Sequence, residues 1–366
     1  MINKKKLLFI GHSYHQITSS NNFFIEFLQQ FFDVNICYDD SWRNGSKISD
    51  EVFFKEQYQQ IVFYQIAPYK NILKNNNFKK IIFIPMYDSC NFKEIANNYF
   101  KFYKKIIYLN FSKKLHNKFL RFGLNSHYFQ FFPTPEKKQF GDLKELFFWQ
   151  RRNVINFKVI DKLFANYSIK IHHHIASDPN ITLALPSTDH KTKFNITTSS
   201  WFKDREEFLS EISNKAFFIA PRLKEGIGMS FLEAMAMGKI VIANNDATMN
   251  EYIENGVNGF LFDYKYPQAI DFTNLQQIQE NAYQTVVKGY ENWQNDKNKI
   301  LQIFNDQLPQ DPLKLSKKLS GFFLRNCCYL LFKTTKIIKN ILCIIVINKK
   351  LKDKIRNKHK IIEQNS

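Results

Sequence analysis

At 366 residues, of which 44% are apolar, the chain exceeds the usual size of one domain and has enough apolar mass to fill two cores. A formal charge of +19 makes anionic surfaces candidate partners, yet no finger, recognition-helix or RNP-type motif accompanies it, and nucleic acid is therefore excluded as the expected partner. The 5 cysteines have neither metal-ligand spacing nor an even-numbered framework, which excludes a disulfide scaffold and sets a reducing compartment as the expectation.

Lys4–Lys6 is followed only by the short apolar run Leu7–Ile10 before Gly11, so this segment reads as a first strand and not as a signal peptide. A helix is expected over Asn22–Phe32 and a strand over Val34–Tyr38, the opening of a βαβ domain. Tyr58–Gln65 and Lys79–Pro85 read as buried strands, then Ile106–Asn110 as strand, Ser112–Phe122 as helix and Tyr128–Phe132 as strand. Such alternation implies a parallel sheet, whose ligands gather at the carboxyl ends of strands. Gly11 and His12 follow the first strand, and Asp88 follows the strand ending at Pro85; the strand-end rule makes these three candidates for contacting a ligand's hydroxyl or phosphate groups, with Asp88 as a base. Asp39 and Asp40 beside Trp42 could suggest a metal site, but the stronger motif further on argues against it.

The turn Thr134–Lys138 reads as the end of the first domain, and Leu146–Trp149 as the first strand of a second. Arg151, Arg152 and Lys158 follow that strand, while His172–His174 reads as a strand or loop run and not a metal site. Ala216–Ala220 is the next buried strand, Glu225–Gly228 a glycine-rich turn, and Ser230–Met237 a helix stopped by Gly238. Gly226 and Gly228 allow close approach of backbone to ligand, and the free N–H groups of the helix start, near Met229 and Ser230, favour an anion. Glu225 and Glu233 flank that start. A carboxylate accepts two hydroxyl hydrogen bonds from a vicinal diol, which both ribose and hexose offer. Taken singly, either glutamate could be an ordinary solvated side chain. Together with the glycines they describe a site for a nucleoside diphosphate sugar.

Over these residues the chain resembles retaining glycosyltransferases of the GT-B fold, the group 1 or family 4 type, in which two glutamates separated by seven residues lie in a Pro-x-x-x-Glu-Gly-x-Gly-x-x-x-x-Glu-Ala-Met-Ala-x-Gly run. Pro221–Gly238 fills every one of those positions, and the likeness continues through Lys239–Asp263. The resemblance implies two Rossmann-like domains facing a cleft: an acceptor domain over 1–138, a donor domain over 139–275, terminal helices crossing back over 276–310, and a basic tail over 311–366. It implies that Glu233 binds the donor ribose, Glu225 the transferred sugar, and the backbone of Gly226–Met229 with Ser230 the phosphates and sugar. Arg151 or Arg152, with Lys158, would neutralise the leaving diphosphate, and neither metal nor other cofactor is expected. The family's lysine would fall at Asn156, which makes Lys158 a displaced assignment. The single Gly11 likewise departs from the paired glycines common in that family's first loop.

The tail holds twelve Lys and two Arg against Asp311, Asp353 and Glu363, so +11 of the +19 lies beyond residue 310. Basic and apolar residues interleave there at roughly helical spacing, without the ~18 uncharged apolar residues of a spanning helix. An interfacial helix on an anionic membrane is the expectation, with a cytoplasmic, peripheral location and a glycan or lipid-linked glycan as acceptor, in polysaccharide or lipopolysaccharide synthesis. A noncatalytic subunit of the same fold and a sugar-nucleotide epimerase are the alternatives.

Overall fold

The fold is that of a computed structural model, which describes residues 4–41, 45–75, 78, 80–90, 95, 102, 105–178, 180–306, 321 and 330. The first half contains β1 (Lys6–His12), α1 (His15–Thr18), α2 (Asn22–Gln29), β2 (Asp33–Asp39), α3 (Asp50–Phe54), β3 (Gln60–Tyr64), α4 (Lys70–Lys74), β4 (Lys80–Ile84), β5 (Ile106–Asn110), α5 (Lys113–Arg121) and β6 (Ser126–Tyr128). The second contains β7 (Asp142–Gln150), α6 (Phe157–Leu163), β8 (Lys170–Ile175), α7 (Thr188–Phe194), β9 (Thr197–Ser199), α8 (Arg205–Ile212), β10 (Lys215–Ile219), α9 (Met229–Ala236), β11 (Ile240–Asn244), α10 (Met249–Tyr252), β12 (Phe260–Phe262) and α11 (Leu275–Phe304).

Each half builds one six-stranded sheet, in the orders β2-β1-β3-β4-β5-β6 and β12-β11-β10-β7-β8-β9, and every strand pair in both is parallel. Parallel strands are covered on both faces, which explains why Leu7–Ile10, Ile81–Ile84 and Ala216–Ala220 are continuous apolar runs, all buried. Burying each of Phe147, Phe148 and Phe218 completely contributes about 2–3 kcal/mol over leaving it in water. The strand order reverses between β1 and β3 in the first sheet and between β7 and β10 in the second, and at such reversals a crevice opens beyond the strand ends.

Helix α11 crosses between the halves. Its Leu275 and Ile278 pack in the second sheet's core, whereas Trp293 meets the rings of Phe23, Phe111 and Phe131 at centroid separations of 5.9, 6.2 and 5.5 Å. Its C-terminal carbonyls end on the first sheet: Phe304 O accepts from Gln60 Nε2 at 2.8 Å and from the buried Lys80 Nζ at 2.9 Å, a cation set against the negative end of a helix dipole.

The expected sixth strand of the first sheet, Tyr128–Phe132, forms earlier, at Ser126–Tyr128. Phe129, Phe131 and Phe132 are buried all the same, because they belong to the connection between the halves and pack in the core shared with Trp293 and Val286 of α11. The expected helix Ser230–Met237 begins one residue sooner, with Gly228 as its cap at φ 91°. His172–His174 forms the buried middle of β8. Most of the tail over 311–366, for which an interfacial helix is expected, lies outside the described residues.

Candidate functional site

A cleft of about 860 Å³ lies between the two sheets, lined from one side by the ends of β1, β3 and β4 and from the other by the end of β8 and residues following β7, β9 and β10. The crevices of both reversal points thus face one cavity. From the first half come His12, His15, Tyr64, Gln65, Met86 and Asp88; from the second, Arg151, Arg222, Glu225, Gly226, Gly228 and Met229, with Ser230 and Glu233. Of the sequence candidates, Gly11, Arg152 and Lys158 are not among the lining residues. Gly11 is buried within β1, close to Asn21 and His15, and Lys158 is exposed on the first turn of α6, where Asn156 caps the helix by accepting from its N–H at 3.1 Å.

The loop from β10 into α9 shows why two glycines are needed. A Cβ on Gly226 would sit 2.8 Å from Met86 of the first half, so this loop meets the facing domain at backbone distance. Gly228 adopts a left-handed conformation, and a Cβ there would collide with the Phe231 ring at 1.9 Å. Met229 and Ser230 open α9 behind it.

The two glutamates differ in surroundings. Glu233 is largely buried; its Oε1 accepts from Arg205 Nε at 2.6 Å, and Arg205 is held in turn by Glu136 at 2.8 Å. Burial pushes the Glu233 carboxyl above its usual range, with Arg205 opposing the shift. Glu225 is partly accessible, and no described residue hydrogen-bonds its carboxylate. Burial raises its pKa to about 7, against the pull of Arg222.

Behind Glu225 lies a cationic cluster. Asp178 receives Arg151 at 2.7 Å, Arg152 at 2.7 Å and Arg222 at 2.9 Å. Burial would raise its carboxyl, but the three guanidiniums override this and hold it below the ordinary range. Arg222 also donates to Asp88 across the cleft at 3.0 Å. Burial pushes the Asp88 carboxyl up despite Arg222. On the first half, His12 Nε2 lies 3.2 Å from Gln65 Oε1 and its ring stacks on His15 at 3.7 Å. Burial and the neighbouring His12 lower His15 to about 3, so it stays neutral.

No sequence motif points to Arg222, Asp178, Arg205 or Glu136. The only available signal was that Arg222 precedes Glu225 by three residues; the other three are far away in sequence and join the site through folding. Trp201 is another such residue: it is 46% exposed, lines the cleft and stands edge-on to Trp149 at 6.2 Å, while Phe202 lies flat on His174 at 4.2 Å. Among the described residues no group of three or more His, Cys, Asp or Glu could hold a metal ion, and no helix is long and apolar enough to cross a membrane. His172 engages Thr197 and Ser199 through its two ring nitrogens, His174 engages Ser199 through Nδ1, and His173 meets Gln150 at 2.7 Å.

Residues 190–273 match the family model of the glycosyl transferases group 1. No curated protein matches the chain in sequence. Among solved structures, the fold is similar to that of HepE from Anabaena in complex with UDP and glucose, at a TM-score of 0.56 and 11% identity over 82% of this chain and 100% of that one. It is similar also to a glycosyltransferase from Rickettsia africae, with TM-score 0.55 and 15% identity over 84% of this chain and 100% of that one. Sucrose-phosphate synthase from Thermosynechococcus elongatus gives 0.56 and 13% over 83% and 99% of the two chains. Two parallel six-stranded sheets, a cleft between them, and a matched segment that contains both glutamates lead to one conclusion: the chain has the GT-B fold, and residues 190–273 of its second half are similar to the glycosyl transferases group 1.

Proposed function

We propose that the protein is a retaining glycosyltransferase that moves a sugar from a nucleoside diphosphate sugar onto a glycan or lipid-linked glycan acceptor. The observation that carries this reading is the convergence of Glu225, Glu233 and the glycine loop, all within the segment matched to the family, with Arg151 on one side of a single cleft. Glu233 would accept the two ribose hydroxyls, its free oxygen available while Arg205 keeps the other engaged and favours the ionised form. Glu225, without a hydrogen-bond partner among the described residues, would accept the sugar hydroxyls. Trp201 offers an aromatic face to the base. The backbone N–H groups at the start of α9 and the Arg151 guanidinium would stabilise the diphosphate as the glycosidic bond lengthens, a contribution strongest where charge develops in a water-poor site. Sugar transfer in this scheme uses side chains and backbone alone, with no metal ion. Across the cleft, Asp88 and His12, which line its opposite wall, would meet the acceptor.

The test is a thermal-shift comparison of UDP, GDP and ADP on the full chain, with Glu233→Ala beside it. Stabilisation by one nucleotide that is lost in the variant supports the donor site and identifies the base, since ligand held by the native state raises stability by mass action. No shift at millimolar nucleotide would overturn the donor reading and favour a noncatalytic subunit of the same fold.

A further inference from the structure

Arg222 is committed to both domains at once. Toward its own domain it donates to both oxygens of Asp178, at 2.9 and 3.0 Å; toward the facing domain it makes a single bond to Asp88 at 3.0 Å. The two carboxylates do not depend on it equally. Asp178 also has Arg151 and Arg152, whereas Arg222 is the one cation paired with Asp88 among the described residues. Among the described residues, Asp88 Oδ1 is buried without a donor and Arg222 Nε is buried without an acceptor. The cross-cleft bond is therefore the weaker half of the arrangement and leaves a guanidinium donor idle. Arg222 lies three residues before Glu225, at the sugar end of the donor site, where the β-phosphate would sit.

We propose that Arg222 is an exchangeable cation: donor diphosphate takes it from Asp88, so that the Asp88 carboxylate becomes available to the acceptor only when donor is loaded. This rests on the donor-site reading above and extends it to a residue and an order of binding. A planar guanidinium binds phosphate oxygens in bidentate fashion and prefers the more highly charged diphosphate to one carboxylate oxygen. Asp178 stays behind as the anchor that keeps Arg222 in the cleft, and Arg151 remains beside it. Arg222 would thereby supply the second positive charge that the position of Lys158, outside the cleft lining, does not provide. A static strut between domains is the rival account, and the two predict opposite consequences for Asp88.

The experiment measures calorimetric affinities of the full chain for UDP and UMP, or for GDP and GMP if those bind better. Arg222→Gln is expected to weaken the diphosphate by about tenfold or more, the scale of a lost charge-assisted hydrogen bond, and to leave the monophosphate almost unchanged. Arg222→Lys should fall between. Asp88→Asn removes the competitor, so diphosphate affinity should rise severalfold with the monophosphate again unmoved. This arm stands even if Arg222→Gln fails to fold. Unchanged or weaker diphosphate binding in Asp88→Asn would overturn the exchange, as would equal losses for both nucleotides in Arg222→Gln. A wild-type chain that binds no nucleotide would instead overturn the donor reading itself.

Discussion

Glu225 combines a largely desolvated position with a carboxylate that no described residue hydrogen-bonds, and this has a thermodynamic cost that can be measured. Unfolded, it titrates near the ordinary value of 4.5; folded, at about 7. Between those values the folded state retains a proton that the unfolded chain has released, so stability falls as pH rises through the window and the penalty is complete above it. Glu225→Gln is accordingly expected to be more stable than wild type at pH 8, by about 1–3 kcal/mol, with the gain vanishing near pH 4. Thermal unfolding at the two pH values checks it; equal stability at pH 8 would mean that the carboxylate is better solvated than its surroundings indicate. Both glutamates could be picked out in the sequence because their eight-residue spacing around two glycines is local. Arg222 could not, since its partners Asp178 and Asp88 lie 44 and 134 residues away and an isolated arginine after a strand looks like any solvated turn.

The α9 turn and the start of α5 show how single elements depend on neighbours. Gly228→Ala forces a left-handed residue to carry a Cβ against Phe231, and we expect a loss of at least about 1–2 kcal/mol in denaturant unfolding. Helix α5 is capped from the other half of the molecule: Glu251 of α10 accepts from Lys113 N at 2.6 Å, Lys114 N at 3.0 Å and Ser112 Oγ at 3.0 Å. Glu251→Ala should therefore cost about 1 kcal/mol, as loss of a helix cap does, while also loosening one contact between the domains. Faster proteolysis of the 129–141 connection in that variant would report the loosening. That connection was legible as apolar but not as non-strand: the pattern of Tyr128–Phe132 suits a β-strand, and only the presence of α11, with Gly289 flat against the Phe132 ring, gives those side chains another place to be buried.

Across the whole molecule, the two halves are held together by α11, whose ends pack on different sheets, by the pair Lys114–Asp246 at 2.6 Å and by the Glu251 carboxylate accepting from Lys113 N at 2.6 Å. The basic tail adds a property independent of that architecture. Removal of residues 311–366, with their +11, is expected to abolish co-sedimentation with vesicles containing an anionic phospholipid while leaving nucleotide binding intact; unchanged sedimentation would refute membrane docking through the tail.

Two parallel sheets, the glycine loop and the paired glutamates could all be read from the linear chain, because buried parallel strands need unbroken apolar runs and a tight turn into a helix needs glycine at fixed offsets. Folding alone brought Asp178 to three arginines, set Arg205 on Glu233 and faced Asp88 toward Arg222. Those contacts depend on which strand ends converge at the two reversal points, and that convergence is a product of sheet order and domain packing, not of any local spacing along the chain.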